Sequence, residues 1–155
     1  MLIRRFAPDD ADSLSRLIVR NLQLVNIHDY SSEVIEALIP TYSPERIRST
    51  AEKTYTIVCV DGEKILGTAL LDGDRVRNVN VDVDQHGKGI GRRLMAEIEA
   101  HALENQLPRI YLHSGITGEG FYHKLGYRTI APVEHDLDGI PLSLIKMEKE
   151  LRNAA

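Results

Sequence analysis

Apolar residues along this chain change period several times, and each change marks a new element. Residues 2–6 form a short run fit for a strand. Pro8-Asp9-Asp10 then supplies turn and capping groups, and Leu14, Leu17 and Ile18 mark one face of a helix. Two more helix starts follow. Ser31-Ser32-Glu33 leads into Val34, Ile35, Leu38 and Ile39, while Ser43-Pro44-Glu45 offers an N-cap, a first-turn proline and an acidic residue for the helix dipole. Pro40 separates the two. From Tyr55 the pattern becomes that of strands: a β-branched run over 55–60, a turn at Asp61-Gly62, a second run over 65–71 and a turn at Asp72-Gly73-Asp74. This is an antiparallel meander. A further strand is expected over 75–83, with Val76, Val79, Val81 and Val83 as its apolar members and Asn80 and Asp82 facing away from the last two.

After a glycine cluster, Ile90, Leu94, Ile98 and Ala102 recur at steps of four, with Met95 and Leu103 beside them, which predicts an amphipathic helix over 91–104. Gln106-Leu107-Pro108 stops it. Residues 110–113 read as a short strand, 121–125 as a short helix closed by Gly126, and the tail as two strands around Asp138-Gly139. A meander, a β-α-β unit and a hairpin in that order predict an α/β fold. Residues 1–155 are expected to form a single domain, with a mixed, mostly antiparallel sheet and helices on both faces.

Composition fits that picture. A chain of 155 residues is one ordinary domain, burying roughly 70% of its unfolded surface. With 43% hydrophobic and 27% charged residues it reads as soluble and globular, and a net charge of −4 argues against bulk nucleic-acid binding. The lone Cys59 has no disulfide partner within the chain, so a reducing, cytoplasmic location is expected. Met1-Leu2-Ile3-Arg4-Arg5-Phe6 lacks the apolar stretch of a secretory signal, and no run approaches the ~20 apolar residues of a membrane span. Neither export nor a membrane partner is expected. The histidines at 28, 86, 101, 113, 123 and 135 show no paired ligand spacing, so no metal is implied, and His101 is expected to be solvated.

The glycine cluster carries the chemistry. A strand, glycines and a helix start together bind anions, because the first amides of a helix have no partner and bear the positive end of the dipole. Lys88, Arg92 and Arg93 stand at that same start, where each cation costs ~0.3–1 kcal/mol unless an anion is present. Three solvated surface cations would look the same, so this feature alone leaves both readings open. A P-loop needs Ser or Thr after Gly-Lys, but Lys88 is followed by Gly89. A dinucleotide fingerprint needs a third glycine where Arg92 stands.

His86-Gly87-Lys88-Gly89-Ile90-Gly91 closely resembles the Gln/Arg-x-x-Gly-x-Gly/Ala pattern of the GNAT acetyltransferases, at the joint between a central strand and its helix. The resemblance extends upstream to Val81-x-Val83. Downstream, Phe121-Tyr122-His123-Lys124-Leu125-Gly126-Tyr127 looks like the family's Phe-Tyr-x-Lys-Leu-Gly-Phe/Tyr segment, and element order from Ile3 to Met147 also fits. It implies an acetyl-CoA-dependent N-acetyltransferase in which a primary amine of a small molecule or peptide attacks the thioester directly. The cofactor would lie where two parallel strands splay apart, here those ending near Val83 and His113. Its pyrophosphate would rest on the backbone of His86, Gly87, Lys88, Gly89, Ile90, Gly91 and Arg92, with strand backbone at Val81 and Val83 along the pantetheine arm. A backbone N–H near Val83 would polarise the thioester carbonyl. Homodimers are common in that family. His86 stands where Gln or Arg is usual and Val83 where Pro is common. Gly115 and Gly118 replace a frequent Asn and Ala, leaving Ser114 as a substitute contact.

For protonating the departing thiolate the resemblance points to Tyr122, a phenol of pKa ~10 against a thiol of ~8.5, or else a packing tyrosine. For the base the candidates are His113, a residue type able to titrate near neutrality or else a solvated or packing histidine, then Asp82 and Glu119, or else solvated carboxylates, or a water chain. The acceptor should enter between residues 22–53 and the hairpin at Asp138-Gly139. There Tyr30, Tyr42, His28, Asp29, Glu33 and Glu36 are either the lining of a cleft for a cationic amine or ordinary surface. Two other classes compete: a non-catalytic CoA-binding regulatory module, and an interaction domain whose glycine loop merely caps a helix.

Overall fold

The computed structural model describes residues 1–151. One seven-stranded sheet runs through it, built from β1 (Leu2–Arg5), β2 (Tyr55–Asp61), β3 (Lys64–Asp72), β4 (Arg75–Val81), β5 (Arg109–Ser114), β6 (Arg128–Leu137) and β7 (Ile140–Glu150) in the order β1-β2-β3-β4-β5-β7-β6. Only β4 and β5 run parallel; every other neighbouring pair is antiparallel. Five α-helices flank it: α1 (Ala11–Leu24), α2 (Ser32–Leu38), α3 (Pro44–Lys53), α4 (Ile90–Glu104) and α5 (Glu119–Lys124). Among the described residues, no helix is long and apolar enough to cross a membrane.

The capping residues act as their sequence context indicates. Ser31 Oγ accepts the Val34 amide at 3.2 Å and Ser43 Oγ accepts that of Arg46 at 3.3 Å, which starts α2 and α3. Two cores result. Leu94, Ile98 and Ala102 of α4 pack with Ile57, Leu66, Leu112 and Met147 on one face of the sheet. Leu14, Ile18 and Ile47 from α1 and α3 pack with Val58, Val60 and Ile65 on the other. Gly67 lets α4 press closely on the sheet: a Cβ there would lie 2.9 Å from the Asn80 carbonyl and 3.0 Å from Leu94 Cδ1.

Several sequence expectations are corrected. The fourth strand stops at Val81, and Val83 opens a 3-10 turn over Val83–Gln85 because Asp82 caps it, accepting the Asp84 amide at 2.9 Å. A further 3-10 turn fills Asn26–His28, where no regular element was expected, and another over Ile39–Tyr42 takes in Ile39, which the apolar pattern assigned to the second helix. His101 is not simply solvated; its half-buried ring stacks on Tyr55 with centroids 3.5 Å apart. Finally, β4 does not alternate evenly. Opposite β3 it carries an extra residue between Arg77 and Asn80, with Asn78 at φ +57°. This bulge brings Val76, Val79 and Val81 onto the same core, across an interval of three residues that a regular strand could not span.

Candidate active site

The bulge shapes the site. β4 and β5 are in register only at Arg75 with Tyr111 and Val76 with Leu112, after which the parallel pair separates. A cleft of about 480 Å³ opens where the pairing fails, lined by β4 from Arg75 to Asn80, by His113 and Ser114 of β5, and by Tyr122. The backbone groups that a parallel ladder would satisfy are available here to an extended ligand arm.

At the end of β4 the chain makes an anion cradle. Gly87 and Gly89 have φ of +81° and +80°, and a Cβ on either would meet nothing within 4 Å. The first amide to enter the helical ladder is that of Arg93, which donates to the Gly89 carbonyl at 3.1 Å. Among the described residues the amides from His86 to Arg92 find no protein acceptor. Lys88 Nζ donates to Gln85 Oε1 at 3.0 Å, while Arg92 and Arg93 are exposed and, among the described residues, form no ion pair with a carboxylate. His86 faces another way: its Nε2 lies 2.9 Å from the Val81 carbonyl, which only accepts, so Nε2 carries the proton. That same carbonyl accepts from Asn21 Nδ2 at 2.8 Å, tying α1 to the strand end.

On the wall opposite, α5 places Tyr122 at the cleft between the rings of Phe121 and Tyr127, with centroids 5.0 and 5.8 Å away. Packing around the phenol pushes its pKa well above 10. It is therefore protonated at any physiological pH, and a weaker acid than a solvated tyrosine. Ser114 is buried, and its Oγ donates to the Gly115 carbonyl at 2.7 Å, so its hydroxyl proton is already engaged. Gly115 leaves room for another side chain: a Cβ there would come within 2.5 Å of the Tyr30 hydroxyl. Tyr30 thus fills the space beside the end of β5.

His113 points into the cleft with its Nδ1 2.8 Å from His135 Nε2. The expectation that it titrates near neutrality is corrected. Burial first, then the positive charges of Arg75, His135 and Lys146, push its pKa down to about 4. Asp82 and Glu119 are engaged elsewhere. Asp82 pairs with Arg20 at 3.2 Å, and Glu119 accepts from Thr129 Oγ1 at 2.6 Å. Of the acceptor-side candidates, Tyr30, Tyr42 and Asp29 line the cleft, whereas His28, Glu33 and Glu36 are exposed and lie outside it. Sequence reasoning passed over Arg75, Asn78, Asn80 and His135, which all line the cleft. For the first three the signal was present in β4, where every residue not turned toward the α4 core is polar; His135 lies on β6 and is brought to the cleft by the sheet.

Residues 26–151 match the family model described as an acetyltransferase (GNAT) domain. Among curated proteins, the peptidyl-lysine N-acetyltransferase YjaB of Salmonella typhimurium is 25% identical over 149 residues, spanning 94% of this chain and 95% of its own length. A GCN5-related N-acetyltransferase of Rhodopseudomonas palustris superposes with a TM-score of 0.91 at 22% identity, over 97% of this chain and 95% of that one. The PaiA N-acetyltransferase of Thermoplasma acidophilum, solved in complex with coenzyme A, superposes with a TM-score of 0.75 at 22% identity, over 96% and 98% of the two chains. With a family model covering most of its length, and a splayed parallel strand pair leading into a glycine-cradled helix, this chain belongs to the GNAT family of N-acetyltransferases.

Proposed function

We propose that this chain binds acetyl-CoA across the β4–β5 opening and transfers the acetyl group to a primary amine in a ternary complex. The observation that carries this reading is the run of unpaired amides from His86 to Arg92 at the start of α4, beside a strand pair already parted. The cofactor diphosphate meets those amides and the positive end of the α4 dipole, with Lys88 and Arg92 beside it. The pantetheine arm pairs with the free edge of β4 toward Val81. Strand amides of β4 polarise the thioester carbonyl; Val83 lies beyond them, inside the 3-10 turn.

In the reaction the neutral amine attacks the thioester carbon, the carbonyl π pair moves onto oxygen, and its return expels the coenzyme A sulfur. Tyr122 gives its phenolic proton to that sulfur. Its raised pKa does not forbid the step, because a thiolate formed in the same desolvated space is also more basic than in water. The amine's proton leaves through water or through His113. The imidazole of His113 is neutral at working pH and able to accept, though its low pKa makes it a weak base.

The test is direct. At about 100 times its Kd, acetyl-CoA should stabilise the protein by ~2.7 kcal/mol, which raises Tm by roughly 5–11 °C for a domain of this size. Thiol release is then followed across alkylamines, amino acids, polyamines and lysine peptides. A thermal shift without turnover on any amine would favour a regulatory module; no shift at all would leave only a capped helix.

A further inference from the structure

The charge of the acceptor end of the cleft differs from what an incoming ammonium would select. Arg75 lines it, and the guanidinium Nε is buried without a hydrogen-bond partner. Among the described residues no carboxylate lies within ion-pairing distance of Arg75. By contrast Arg4, Arg20, Arg48, Arg77 and Arg128 each have an acidic partner. Lys146, in register with His113, sits over the Tyr111 ring at 4.8 Å, also without a carboxylate. Burial is the larger cause of the lowered pKa of both His113 and His135, and the positive field of Arg75 beside them adds to it. Asp29 is the acidic residue of the lining. It accepts a hydrogen bond from Thr117, beyond the end of β5, whereas Arg75 is in register with Tyr111 farther back along that strand.

An unpaired, partly desolvated guanidinium is costly to keep unless a ligand satisfies it. We propose that the acceptor is an amino acid-like amine whose carboxylate pairs with Arg75 while its amine faces the thioester, and that polycationic amines are excluded. This rests on the acetyltransferase reading above. The chemistry is coherent, because cations around the site disfavour an ammonium and so raise the share of the neutral, nucleophilic amine. A carboxylate on the same molecule restores the attraction that a bare amine would lack.

Three amines of matched length test this: 6-aminohexanoate, hexylamine and 1,6-diaminohexane, followed by thiol release with acetyl-CoA saturating. The carboxylate should exceed hexylamine in kcat/KM by at least about tenfold, and the diamine should be poorest. In Arg75→Gln the carboxylate-to-methyl ratio should fall to within about twofold of one, whatever the absolute rate; Arg75→Lys should recover part of it. If the chain length is wrong for turnover, calorimetry of hexanoate added to the coenzyme A complex reads the same contact. Binding should be measurable in wild type and lost in Arg75→Gln. Equal or faster turnover of the diamine, an unchanged ratio in Arg75→Gln, or no hexanoate binding would overturn the inference while leaving acetyl transfer standing. Failure of acetyl-CoA to shift Tm would remove both.

Discussion

Asn78 offers the sharpest test of how the site is made. Its φ of +57° lies in the left-handed region, where asparagine sits with little strain and glycine with none, but a β-branched side chain is forced against its own backbone. Valine should cost ~1–2 kcal/mol there for that backbone alone. The side chain adds little, since its Oδ1 is 3.5 Å from the Tyr42 hydroxyl, at the limit of a hydrogen bond. Asn78→Gly should therefore stay within ~1 kcal/mol of wild type, the difference being unfolded-chain entropy. Asn78→Ala should be intermediate and Asn78→Val the worst, lowering Tm by roughly 2–8 °C. If valine relaxes the bulge into regular strand, Val79 and Val81 rotate off the α4 core and into the cleft, and acetyl-CoA affinity falls along with stability. Thermal unfolding and cofactor calorimetry on the three variants read both effects. Equal Tm and Kd for the glycine and valine proteins would show that the bulge neither strains the strand nor shapes the opening.

Other perturbations have equally definite outcomes. Gly67→Ala forces a methyl to 2.9 Å from the Asn80 carbonyl and should cost ~1–3 kcal/mol, seen as a lower urea midpoint with unchanged slope. Tyr122→Phe should lower the single-turnover acetyl-transfer rate by ~10²–10⁴ with acetyl-CoA Kd unchanged; full activity would remove the phenol from the mechanism. His113 is held neutral in the fold, about 4 against an ordinary 6.5, so the unfolded chain takes up its proton first as pH falls. The stability associated with its neutral form is complete above pH 6.5 and drains away between 6.5 and about 4. Urea midpoints across that window should decline less in His113→Ala than in wild type, and kcat/KM should show no His113-dependent limb near pH 6–7.

Much of this was legible in the residues. The steps of four from Ile90 to Ala102 mark α4 to within one residue, and the glycines before it mark a turn that needs positive φ. Two facts were harder to see. The valines of β4 are separated by three and then two residues, and that odd interval is the only local sign of the bulge. Continuing the period through Val83 missed that Asp82, a favoured capping residue, starts a turn instead. The cleft's charge was left open for a different reason. Glu33 and Glu36 lie close in sequence to Tyr30 but on the outer side of α2, whereas Arg75 and Lys146 come from strands far apart in the chain. Side-chain environments of that kind are set by tertiary neighbours, as the depressed pKa of His113 also shows.

With just two rungs joining β4 to β5, the sheet is nearly two sheets, one of four strands and one of three, seamed by a short stitch and by α4 across the back. A molecule threaded into the gap completes the missing rungs and acts as a surrogate strand. Loading acetyl-CoA should therefore slow amide exchange in both halves at once, including in β6 and β7, which lie beyond β5 from the open edge of β4.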